Sequence, residues 1–425
     1  METQTKQGGN VAAIITMFAL FFMIAFVTNF ASPMGVIAKN QFNASNALSQ
    51  LGNFANFFAY LFMGIPGGLI LKRKGYKFTS ILACAVGFVG VGVQWLSGYV
   101  ESFGVYVTGA FVAGFSMCLL NLVVNPMLNT LGGGGNKGNQ LIQLGGSCNS
   151  VGGTIAPILL GYLIGGEVKN ASVADATPAM IIAMAIFALA ALIIALTNIP
   201  EPHMETAEEK AARKAGKVEK DPHGPLSFRH FVLGAIAIFF YVGIEVGIPN
   251  TANVYFSGIP SVGAALTGTM IGAYWFCMML GRLGGGVIGS KVSSKSMLTA
   301  TAVVAILFLL GFMFTPETLT INIFGKILPI SLIFITLCGL CTSVMWGSIF
   351  NLATEGLGKY TAVASGIFMT LVCGGGIIPF LQNLLADNEK IGSVNSYWLI
   401  IACLLYLVFY AVAGSKNVNK DIKVD

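Results

Sequence analysis

One carboxylate sits deep in an apolar run. Glu245 lies within FVLGAIAIFFYVGIEVGIPN, where every other side chain up to Asn250 is uncharged. A carboxyl taken out of water is driven toward its protonated form, and when ionised it can help hold sodium, so an embedded acid is a natural cation-coupling site. Glu245 is fourteen residues past the start of its run, about 21 Å along a helix, hence beyond the bilayer midplane. Gly247 and Pro249 follow it and should weaken the helix there. A second chemistry belongs to amides. Asn121, Asn125 and Asn129 recur every four residues and so share one helix face. Asn29, Gln143, Asn149, Asn253 and Asn351 stand in other apolar runs, with Trp346 beside the last of them in sequence. Amides donate and accept at once, which suits an array of hydroxyls, and an indole face can stack on the apolar side of a sugar ring. The structural alternative is that these amides tie helices together at about 0.6 kcal/mol each, and that Glu245 is a protonated acid bonded to a neighbouring helix. Nothing fixed and positive lies mid-membrane in the first half, which argues against a strongly anionic guest. Arg282, in the run GRLGGG, is expected near the cytoplasmic end of its span with a conformational role rather than a substrate contact.

The elements that position these residues are membrane spans. Only 9% of the 425 residues are charged, 55% are hydrophobic, and the mean hydropathy is +0.79. A soluble chain of this length carries far more surface charge. Twelve spans are expected, near 11–31, 52–71, 79–99, 104–130, 141–165, 178–199, 231–255, 265–289, 296–315, 323–352, 360–386 and 394–414. The runs are continuously apolar rather than alternating, which excludes a β-barrel. The first is too long for a cleaved signal peptide and lacks its small-residue cleavage site. Lys and Arg crowd the even gaps: Lys72, Arg73, Lys74 and Lys77 after span two, then six basic residues between Lys210 and Arg229 after span six. Odd gaps hold only Lys39, Lys169, Lys326 and Lys390, so both termini are expected to face the cytoplasm. The net charge of +6 is this topological signal, scattered over short loops, and does not mark a nucleic-acid surface. All eight cysteines fall inside spans, and the Cys338–Cys341 pair has no other ligand near it in sequence, so neither disulfide framework nor metal site is implied.

A polar stretch over 200–230 separates six spans from six. Residues 1–200 are read as an N-terminal six-helix bundle, 201–230 as a cytoplasmic linker, and 231–425 as a C-terminal six-helix bundle with a short tail. The halves echo each other. Span four ends NPMLNTLGGGGNKG and span ten SIFNLATEGLGK; span five carries CNSVGGTIAP and span eleven CGGGIIP. Parallel duplication of a six-span unit is a transporter plan, and the glycines let helices approach and slide.

The ordered set IPGGLILKRKGYK, NPMLNTLG, YVGIE, GRLGG, SIFNLATEGLG and CGGGIIP resembles the major facilitator superfamily, and within it the fucose, galactose and glucose group of sugar:cation symporters, over nearly all of 11–414. The resemblance implies an all-α integral membrane fold of two pseudo-symmetric six-helix bundles around a central cavity. Two departures matter. Fucose-type symporters carry an embedded Asp on the first helix and a Glu on the fourth; the matching positions are Ser32 and Asn121. Glu245 is similar to the span-seven acid of glucose/galactose-type relatives, so coupling is expected there. Lys72 replaces the superfamily's usual Asp, and Asn29 and Asn149 resemble sugar-contacting positions. The expectation is a secondary transporter, not an enzyme, in a bacterial cytoplasmic membrane. It would import a neutral monosaccharide, a hexose, by proton or sodium symport, as a monomer without cofactor or metal. The rivals are a metabolite or drug:proton antiporter of the same fold and a nontransporting sugar sensor.

Overall fold

The computed structural model describes residues 2–28, 37, 41–42, 51–163, 172–214, 221–257, 259, 262–323 and 325–424. It is all-helical apart from one small hairpin. Helix α1 spans Glu2–Thr28, α2 Leu51–Tyr99, α3 Phe103–Leu131, α4 Gly135–Leu163 and α5 Thr177–Leu196. A short α6, Ala207–Lys214, lies in the linker. The second half holds α7 Arg229–Ser257, α8 Gly263–Ile288 and α9 Ser294–Phe314. Strands β1 Thr320–Ile323 and β2 Lys326–Pro329 pair antiparallel. Then come α10 Ile330–Thr342, α11 Met345–Thr354, α12 Thr361–Thr370, α13 Gly374–Ala386, α14 Gly392–Asn395 and α15 Tyr397–Phe409.

Ten helical stretches among the described residues are long and apolar enough to cross a bilayer. One of them, Phe54–Tyr99, is 46 residues long and contains two arms. The polar α4 adds a twelfth membrane helix, whose glycines and amides lower its hydropathy. Two sequence expectations change. The tenth span begins at Ile330, because the strands 320–323 and 326–329 pair ahead of it. Helix α7 runs unbroken through Gly247 and Pro249.

Two local devices set the geometry. Gly75 divides α2 with φ 85° and ψ 177°, a conformation open to glycine, and a Cβ there would meet the Glu201 carboxylate at 2.3 Å. That carboxylate accepts the N–H groups of Tyr76 and Lys77, which the bend leaves without helical partners. Gly64 and Gly68 on the first arm of α2 let the other half come close. A Cβ on Gly68 would lie 2.9 Å from both the Ala362 carbonyl and the Gly366 Cα on α12.

The linker is fastened at both ends. On the N-terminal half, His203 Nδ1 meets the Tyr76 hydroxyl, and the Glu205 N–H bonds the Lys72 carbonyl at 2.7 Å. Burial pushes the His203 imidazole down to about 4. Burial also pushes Glu201 up, against the N–H bonds and the Lys77 charge. On the C-terminal half, Asp221 accepts from the Tyr360 hydroxyl at 2.6 Å and pairs with Lys359 at 3.2 Å. The Tyr360 bond, the His223 N–H and Lys359 hold Asp221 down at about 2. The C-terminal tail closes the same face, with Val424 accepting the Lys359 N–H at 2.9 Å.

Candidate functional site

Pro249 in α7 has no N–H, so the carbonyl four residues back, that of Glu245, has no helical partner. The Tyr274 hydroxyl on α8 supplies one at 3.2 Å and also bonds Thr342 of α10 at 3.1 Å. Three helices are thereby fixed at the depth of Glu245. Its carboxylate pairs with Arg282 of α8 at 3.1 Å; the two side chains are 15% and 11% exposed. One turn earlier the buried Tyr241 phenol stands within electrostatic range of both charges, its ring 6.2 Å from that of Trp346.

Arg282 lies near the basic-loop end of α8. It is six residues inside the end of α8, about 9 Å along the axis, and it reaches into the other half. Its Nη1 donates to the Gly146 carbonyl at 3.2 Å, Asn149 Oδ1 at 3.4 Å and Ser150 Oγ at 3.0 Å, all on α4. A further bond goes to the Ser343 carbonyl at 3.4 Å. Arg282 thus joins the acid of one bundle to three neutral acceptors of the other. With Glu245 ionised the pair is neutral overall, as a partly buried pair must be.

Beside it runs the amide ladder of α3. Asn121 donates to the Tyr60 hydroxyl at 3.1 Å and to Met117 O at 3.0 Å. Asn125 donates to Asn121 O at 3.0 Å, and its own Oδ1 accepts the indole N–H of Trp346 at 2.9 Å across the seam between the halves. Gln143 crosses the same seam to the Val344 carbonyl at 2.8 Å. Asn149 is held to the Phe21 carbonyl at 3.0 Å by its amide N–H, which leaves its oxygen for Arg282.

Asn121, Asn125, Gln143, Asn149, Trp346, Glu245 and Arg282 therefore converge. Asn351 does not join them; it turns back into its own bundle to Ser294 at 2.8 Å. Asn253 is exposed two turns beyond Glu245 and, among the described residues, makes no side-chain hydrogen bond. Asn29 and Ser32 lie outside the described residues. Sequence reading missed Ser150 and Tyr241. Spacing could have found both, since one adjoins Asn149 and the other precedes Glu245 by a helical turn.

Hydrogen bonds between the halves, among the described residues, all lie at Arg282 or on the side of the basic loops. Asn129 meets Thr354 at 3.3 Å near that end, and close packing of α4 against α8 continues there at Gly286 and Gly289. Toward the opposite end, Thr154, Ile155, Asn250 and Asn253 are exposed. Among the described residues the hydrogen bonds across the seam stop at Arg282, while packing between the halves goes on beyond it, where a Cβ on Gly376 of α13 would lie 3.3 Å from the Phe54 ring of α2.

Residues 16–379 match the model of the Major Facilitator Superfamily. The glucose/galactose transporter of Brucella abortus biovar 1 (strain 9-941) is 30% identical, with 98% of each chain covered. The L-fucose-proton symporter of Escherichia coli (strain K12) is 25% identical over 95% of this chain and 94% of its own. Among solved structures, the crystal structure of the Major Facilitator Superfamily transporter FucP in the outward conformation superposes with a TM-score of 0.78 at 21% identity, covering 96% of this chain and all of that one. A family match over most of the chain, full-length relatives and the same helical architecture agree: this chain belongs to the Major Facilitator Superfamily of membrane transporters and is not an enzyme.

Proposed function

We propose that this chain imports a neutral monosaccharide, a hexose, by proton-coupled symport through alternating access. The observation that carries the reading is the Arg282 bridge: a carboxylate on one bundle, neutral acceptors on the other, and a ladder of amides with an indole beside them. Sugar hydroxyls replace the bonds that Asn125, Asn149 and Trp346 make with one another and with Arg282. The names of the full-length relatives support the sugar class. With the basic loops on the cytoplasmic side, as their charge requires, the hydrogen-bonded end of the seam faces inward.

The coupling step follows from charge. Protonating Glu245 removes its attraction for Arg282 and leaves the guanidinium held by α4 alone. Sugar binding competes for those α4 acceptors and frees Arg282 to return to Glu245 only after the proton leaves. Each ligand thereby biases the same bistable contact, and linkage makes the effect reciprocal. Sodium would need several oxygen ligands, and a guanidinium at 3.1 Å occupies that ground, so the proton is the coupling ion. Uptake of D-glucose, D-galactose and L-fucose into proteoliposomes tests the reading. A proton gradient should drive accumulation without sodium. Accumulation that requires sodium and ignores pH contradicts the proton assignment, and no flux of any sugar contradicts the reading as a whole.

A further inference from the structure

The end of the C-terminal bundle away from the basic loops holds a cavity of about 330 Å³, in the lower range for small-molecule sites. Tyr255 at the end of α7, Thr315 and Glu317 after α9 and Ser331 at the start of α10 are its polar lining. Phe312, Met313 and Val394 form its apolar wall. Tyr255 is ten residues beyond Glu245, roughly 15 Å along the helix, so this cavity is separate from the seam.

Ser331 is the informative residue. Its side chain is 2% exposed and its hydroxyl has no hydrogen-bond partner. Serines and threonines in these helices usually donate to the carbonyl four residues back, as Ser147, Ser150, Thr197 and Thr336 do. For Ser331 that residue is Ile327, which lies in β2 and not in a helix. The hairpin thus deprives a buried hydroxyl of its local acceptor, and an unpaired buried hydroxyl costs free energy unless a guest supplies the bond. Nearby, the Tyr255 hydroxyl donates to the exposed Glu317 carboxylate, which retains further acceptor capacity.

We propose that this cavity is an outer binding site for a second monosaccharide molecule, occupied before the sugar reaches the seam; the sugar class rests on the function proposed above. Glu317 accepts from ring hydroxyls, Ser331 and Tyr255 both donate and accept, and the C–H face of the ring lies on the Phe312 and Met313 wall. No cationic side chain lines the cavity, so an anionic guest has no counter-charge.

Equilibrium binding of radiolabelled D-glucose and D-galactose to the full-length protein in lipid nanodiscs tests this. Two molecules per protein are expected at saturation. Ser331→Leu fills the cavity and should leave one molecule bound, with uptake retained. Glu317→Gln, a milder change, should weaken one class of sites about tenfold and spare the other. One molecule per protein, lost in Trp346→Ala and unaffected by Ser331→Leu or Glu317→Gln, overturns the outer site while the proposed function stands. No sugar bound at all overturns both. Glu317-dependent binding of choline or ethanolamine in place of sugar overturns the polyol assignment.

Discussion

The two bundles bring opposite kinds of chemistry to one seam. The N-terminal half offers only neutral groups: Asn121, Asn125, Gln143, Asn149 and Ser150. The C-terminal half brings both charges, Glu245 and Arg282, and the aromatic rings of Tyr241, Tyr274 and Trp346. Charge kept on one bundle can cancel within that bundle, so the halves can part without exposing a lone ion to hydrocarbon. A neutral partner face still lets one guanidinium grip it by hydrogen bonds. The linker shows the converse arrangement. Its N-terminal anchor contains titratable His203 and Glu201, whereas its C-terminal anchor pairs Asp221, held well below the usual carboxylate range, with Lys359.

Removing one member of the pair should break this balance most. Arg282→Met leaves Glu245 facing the seam unpaired and should cost about 3–5 kcal/mol, read as a lower thermal midpoint in detergent. Adding Glu245→Gln to it should restore most of that loss without restoring uptake. A single variant as stable as the parent would contradict the buried ion pair.

The linker comparison sharpens with pH. His203 is held neutral in the fold down to about 4, while an unfolded imidazole takes a proton near its ordinary 6.5. Its contribution is therefore complete above pH 6.5 and is lost as pH falls toward 4, by up to about 3 kcal/mol. Glu201, pushed up, acts in the opposite sense: its contribution is complete at low pH and lost as pH rises through its raised value. The difference in pH-dependent melting between parent and His203→Asn isolates the histidine. Equal slopes for the two proteins would remove His203 from the anchor.

Smaller effects are expected inside the site. Tyr274→Phe leaves the carbonyl freed by Pro249 unpaired and should destabilise by about 1–3 kcal/mol. Pro249→Ala should be tolerated better in that background than alone, because it restores the helical partner. Trp346→Phe removes the indole bond to Asn125, worth about 1 kcal/mol, and should raise KM roughly fivefold while the fold stays intact. An unchanged KM would place Trp346 outside the sugar path.

Hydropathy made the membrane helices legible, because a span must be continuously apolar whatever it packs against. The same signal failed at 323–329, where IFGKILP reads as the start of a span. Gly325 at φ 78° turns it into a hairpin instead. The reach of Arg282 across the seam was hidden for another reason. The run GRLGGG looks like a helix end, yet α8 continues to Ile288, and the long side chain lies against Gly146 of α4 and bonds that helix. Asn121, Asn125 and Asn129 were legible as a polar face, since helical spacing decides which side they share, and Asn149 as an amide embedded in another span. Asn351 satisfied the same rule but belongs to the inside of its bundle, and only its bond to Ser294 separates it from the others. The partnership of Pro249 with Tyr274 joins residues 25 apart on two helices and leaves no local pattern to read.

Glu245→Gln, assayed side by side for gradient-driven accumulation and for sugar counterflow, goes straight to the coupling role assigned to the embedded acid. Accumulation above the external concentration should vanish while counterflow continues, since the amide keeps a bond to Arg282 but cannot cycle a proton. Accumulation equal to that of the parent would contradict the account.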